Sequence, residues 1–124
     1  MAPIRALLLV IALMMIPGAV SAQAQMTVRE FNQIAAAAPR DASALLRPSV
    51  RRAASAMEGA FGAARAEEAA ARRAGRTPPF CIPARTNISP NDVMRRMAAV
   101  PAERQNQSVT QAVRSWMVER FPCR

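Results

Sequence analysis

Two cysteines, seventeen arginines and no histidine bound the chemistry open to this chain of 124 residues. Cys81 and Cys123 stand near the two ends of a segment running from Phe80 to Cys123. Without histidine, the Cys/His and Ser/His pairings that activate a nucleophile cannot form. A zinc site is implausible for the same reason. Neighbouring Glu67 and Glu68 could be imagined as a catalytic carboxylate pair, but adjacent helical residues point in different directions, so they read as a solvated helix face. There is no glycine-rich phosphate loop. The chain therefore reads as non-enzymatic, with no cofactor and no metal.

What the cysteines do depends on where the chain goes. Arg5, the apolar run from Ala6 to Ile16, the helix-breaking Pro17-Gly18 and the small residues AVSAQA make a secretory signal peptide, expected over residues 1–22 with cleavage at 24 as the other site. The apolar run is about half of the roughly 20 residues needed to cross a bilayer, so contact with a membrane is expected only through the uncleaved signal. A periplasmic or secreted chain can oxidise a cysteine pair, and Cys81 and Cys123 are read as a structural disulfide closing a two-helix unit. The mature chain of about 100 residues makes one domain with a modest core.

Every basic residue is arginine, and with Arg5 removed 16 arginines face 8 acids, a net charge of +8. That balance attracts polyanions or an acidic protein partner, although a lysine-free, alanine-rich composition is also what a GC-rich genome writes. The pairs Arg51-Arg52, Arg72-Arg73 and Arg95-Arg96 could meet phosphates. A nucleic-acid reader adds interleaved aromatics or a recognition motif, and here Phe61 and Trp116 read as core, so nucleic acid is disfavoured.

The elements follow from caps and periodicity. Thr27-Val28-Arg29-Glu30 is a capping box opening a helix over about 28–38, with Val28, Phe31, Ile34 and Ala35 on its apolar face and Pro39 as its stop. A second short helix is expected to start at Asp41 and bury Leu45 and Leu46. The longest helix spans Ser49 to Ala74, with Val50, Met57, Phe61 and Ala64 on one stripe and Gly75 as terminator. Gly59 and Gly62, which cost helix propensity, suggest that another helix passes close by. After the extended Arg76-Thr77-Pro78-Pro79, Ser89-Pro90-Asn91-Asp92 caps a helix ending at Pro101, with Val93, Met94 and Met97 on its apolar face. Ser108-Val109-Thr110-Gln111 opens the last helix, whose Trp116 is expected to anchor this half of the core. The expected fold is all-α, a small single-domain bundle of four to five helices stapled by one disulfide. Met57, Met94, Met97 and Met117 read as ordinary core.

The C-terminal segment resembles the Rap/Tai family of type VI secretion amidase immunity proteins. The resemblance rests on Cys81-Ile82-Pro83, then a short apolar-faced helix from Val93 to Pro101, a polar stretch, and a last helix running into Phe121-Pro122-Cys123. It covers about 44 of the roughly 100 mature residues, within an expected domain over 26–124. Family members often carry a further cysteine and a Tyr-Gly element on the long helix, where this chain has Ala53, Ala54, Ser55 and Ala56. The resemblance implies a small helical periplasmic fold, Cys81 and Cys123 as a structural disulfide, and a task of binding a secreted peptidoglycan amidase and blocking it. The partner-binding residues are not identified by it, and a homodimer is compatible with the sequence. Two other functions fit the composition: a periplasmic arginine-rich binder of anionic envelope polymers or nucleic acid, and a small periplasmic stress chaperone.

Overall fold

A computed structural model describes residues 25–124, and the signal peptide expected over residues 1–22 lies outside them. The described chain is all-α. Helix α1 spans Val28–Ala37, α2 Pro48–Arg73, α3 Pro90–Ala98 and α4 Val109–Arg120, with short 3-10 turns at Ala42–Leu46 and Ala102–Arg104. Cys81 and Cys123 are bonded, with Cα atoms 5.0 Å apart and 42 positions between them in sequence numbering.

The helix starts are set locally. At α3, Ser89 Oγ accepts from the Asp92 amide while the Asp92 carboxylate accepts from the Ser89 amide. Ser108 and Gln111 make the same reciprocal pair at α4. At α1 only half of the expected box forms, because Thr27 Oγ1 accepts from the Glu30 amide whereas the Glu30 carboxylate accepts from Arg52 on α2 instead. Two further orphan amides of α1, at Val28 and Arg29, donate to the carbonyls of Gln107 and Gln105, and the Val109 amide returns a bond to the Met26 carbonyl. The starts of α1 and α4 are thereby stitched together, so that backbone donors with no helical partner are satisfied across the fold. Helix α2 ends in a Schellman motif: the Arg76 amide donates to the Ala71 carbonyl, the Gly75 amide to that of Arg72, and Gly75 takes the left-handed φ of 70°.

At 26 residues α2 is about 39 Å long and forms the spine of the molecule. Its buried stripe is Ala53, Met57, Ala60, Ala64, Glu68 and Ala71, a three-and-four spacing made mostly of small side chains that lets α4 lie close against it. The expected stripe is therefore turned: Met57 and Ala64 belong to it, while Val50 and Phe61 lie half-buried at its edge. Helix α4 contributes Val109, Ala112, Val113, Trp116 and Met117, and α1 packs across α2, α3 and α4 with Val28 and Phe31. Phe80, Met97, Met117, Val28, Val109 and Val113 are the largest fully buried side chains.

Three expectations fail in this frame. Leu45 and Leu46 are exposed, at 65% and 77%, because the five-residue turn that carries them has a 3-10 form too short and tight to present one amphipathic face. Gly59 and Gly62 have no packing partner, and a Cβ built at either position would meet nothing within 4 Å. Met94 is 41% exposed.

Ion pairs clasp the elements at the surface, with Arg52 to Glu30 joining α2 to α1, Arg96 to Glu119 joining α3 to α4, and Arg114 gripping both oxygens of Glu67 to join α4 to α2. Being largely solvated, each contributes on the order of 0–1 kcal/mol. The Asp92 carboxyl is held below the ordinary aspartate value of 3.8, first by the Ser89 amide and then by its hydroxyl, with Arg95 adding to the effect. A depressed carboxylate stabilises the fold above its unfolded pKa and loses that contribution as pH falls through the folded value. Acid titration of the Asp92→Asn variant will therefore show a shallower loss of stability below pH 3.8 than the parent. An unchanged acid limb in chemical denaturation would contradict this.

Candidate functional site

Glu68 is the one buried charged side chain among the described residues, which corrects its reading as solvated helix face. It leaves the buried stripe of α2 to accept a 2.8 Å bond from Arg72 and a 3.3 Å bond from the Ile82 amide. Arg72 also reaches Sγ of Cys81 at 3.7 Å, and the Cys81 amide donates to the Phe121 carbonyl at 2.7 Å. With Phe80 and Ile82 buried on either side of Cys81, these bonds hold the disulfide segment against the end of α2. Glu68 is thus a structural acceptor. Glu67, bound to Arg114, faces a different way, so the two neighbours share no site.

The Arg72 partner is 60% exposed, so the ion pair itself contributes little. The Ile82 amide is what matters, since a buried donor left without a partner costs roughly 1–3 kcal/mol. Urea denaturation should place Glu68→Ala in that range below the parent, with Glu68→Gln in between because its amide oxygen still accepts. Equal stability of all three proteins would show that the bond carries no weight.

Among the described residues, no three of His, Cys, Asp and Glu gather as a metal ion would need, and no helix is long and apolar enough to cross a membrane. What the described residues build is a concavity. The second half of α1, the turn from Pro39, the first half of α2, residues 86–89 and the start of α3 enclose an open groove of about 1370 Å³. Phe31, Ile34, Met57, Phe61, Val93 and Met94 supply its large apolar surface. On α2 its floor runs along the edge of the buried stripe, where Val50 and Phe61 stay half-exposed. Gly62 opens onto it with no side chain at all.

A smaller cleft of about 280 Å³ adjoins the groove through Ile88 and Arg95, and is completed by Asp92, Arg96, Trp116 and Arg120. Trp116 is held from both sides, with its ring edge-on to Phe61 at 6.1 Å and the Arg96 guanidinium 6.0 Å from its centroid. Arg120 lies 5.6 Å from the Phe121 ring and, among the described residues, has no carboxylate partner within 4.0 Å.

The sequence shows Cys81 and Cys123 but not the groove, because its walls come from three stretches of chain, 31–44, 50–65 and 86–95, that meet only in the fold. Two signals pointed toward it. The alanines at 53, 60, 64 and 71 mark the close helix contact that turns Val50 and Phe61 outward, and Gly62 interrupts a strong helix where no turn is needed. A volume above 1000 Å³ with an open mouth exceeds the usual small-molecule pocket and suits a helix or extended peptide. No protein-family model, no curated protein and no solved structure matches this chain.

Proposed function

We propose that this chain is an exported, non-catalytic protein that works by binding another protein, and that its partner is a secreted peptidoglycan amidase, as for the type VI secretion immunity proteins that its Phe80 to Cys123 segment resembles. The observation that carries the binding reading is the open apolar groove between α1, α2 and α3, bordered by the turn that exposes Leu45 and Leu46. Apolar side chains left partly exposed in a concavity of a small domain make it a candidate interaction site. The amidase assignment rests on the resemblance.

Isothermal titration with the purified product of a neighbouring effector gene tests it. A saturable complex at physiological salt, with loss of the effector's peptidoglycan-cleaving activity, is the expected result. Absence of both binding heat and inhibition at tens of micromolar would remove the amidase reading. A second reading is favoured by the arginines, of which only Arg52, Arg72, Arg95, Arg96 and Arg114 pair with carboxylates among the described residues. If anionic polymers are the physiological ligand, affinity for them will fall steeply with salt on the slope of several released counterions.

A further inference from the structure

We infer that the groove and the adjoining cleft form one docking surface for an amphipathic helix whose exposed side is acidic, presented by a partner protein. This rests on the protein-binding reading and adds the class of segment bound and its seat.

Charge and shape argue for it together. Arg40, Arg65, Arg95, Arg96 and Arg120 line the two connected concavities, against Asp41, Glu58 and Asp92. Two of those acids are already occupied, Asp41 by the amide of Ser43 and Asp92 by Ser89 and Arg95. Arg95 and Arg96 are likewise paired, with Asp92 and Glu119. Among the described residues three cations, Arg40, Arg65 and Arg120, therefore stand around the apolar floor without an ion-pair partner, against Glu58 and the amide-bound Asp41, and the chain as a whole is basic. An incoming helix that buries apolar residues at i, i+3, i+4 and i+7 in the groove would set its flanking carboxylates against these arginines. A basic helix would meet a net like charge.

Gly62 sets how closely that helix can lie. It is exposed, it lines the groove between Phe61 and Arg65, and the space above it is empty. A glycine inside an exposed stretch of helix lowers helix propensity without any compensating contact within the chain. At the floor of a binding groove the missing side chain is an opening for a partner's backbone or a large apolar residue. The same emptiness makes it a clean probe, because a Cβ at position 62 meets nothing within 4 Å and Gly62→Leu projects into the groove without a clash at its base.

The test uses two fluorescein-labelled 18-residue helical peptides with identical leucine faces, one carrying glutamate and the other lysine at the remaining positions. Fluorescence anisotropy with the purified chain is expected to show saturable binding of the glutamate peptide, at least tenfold tighter than the lysine peptide and weakened by salt. Gly62→Leu is expected to weaken it at least tenfold while leaving the thermal midpoint equal or higher, and Arg40→Glu with Arg120→Glu to weaken it by a similar factor. Failure of the glutamate peptide to bind at 1 mM, or binding that Gly62→Leu leaves within threefold of the parent, overturns the inference. Self-association that Gly62→Leu abolishes would assign the groove to a second copy and likewise overturn it. Should the titration partner above bind Gly62→Leu as tightly as the parent, this docking surface fails while the protein-binding reading stands.

Discussion

Replacing Cys81 and Cys123 together with serine will lower stability by about 2–4 kcal/mol relative to the oxidised protein, the range expected for opening a covalent loop of this length. For a domain of about 100 residues that is a fall in thermal midpoint on the order of 10–30 °C. The loop encloses α3 and α4, so in the unfolded oxidised chain it restricts the segment that carries half of the helices. The folded state keeps other ties at the same place: Phe80 is fully buried, Glu68 holds the Ile82 amide, and Cys81 bonds through its backbone to Phe121. The serine variant should therefore remain helical at 25 °C while unfolding at lower urea. Urea titrations with and without dithiothreitol check this. The parent under reductant should match the variant, and the variant should ignore reductant; a parent equally stable in both conditions would show that the bond does not staple the fold.

Trp116→Ala will cost about 3–5 kcal/mol, the usual range for removing a large aromatic from a packed core. Trp116 is 7% exposed and bridges two structures, packing on the α2–α4 contact and supporting Phe61 edge-on from behind the groove. Its loss leaves a cavity between α2 and α4 and releases Phe61 from one wall of the groove. Trp116→Phe keeps an aromatic edge and should cost less than half as much. Because the chain has one tryptophan and no tyrosine, unfolding of both variants is followed by circular dichroism. A destabilisation below about 1 kcal/mol for the alanine variant would show that this side chain is peripheral to the core.

Much of the architecture was legible from local chemistry. The serine caps of α3 and α4, Pro90 at the first helical position, and Gly75 beyond α2 each act within four residues, so short sequence patterns suffice to read them. The stripes of α1 and α4 were equally plain, since Phe31, Val113 and Trp116 are large apolar residues with one sensible place to go. On α2 the reading slipped by part of a turn. Large residues were assigned to the core, yet the core there is alanine because α4 comes close, and Val50 and Phe61 were displaced to the edge. Glu68 looked solvated because the Ile82 amide it serves lies 14 positions away. Helical period tells which face of one helix is apolar. It does not tell which neighbour covers that face, and the groove is the place where none does.

The central proposal is that this protein acts by binding a partner through that groove, and survival of cells forced to export a peptidoglycan amidase encoded beside its gene tests it most directly. Co-expressed parent protein should restore growth, whereas Gly62→Leu, present at equal abundance and equally folded, should not. Absence of protection by the parent, or full protection by Gly62→Leu, would contradict the account.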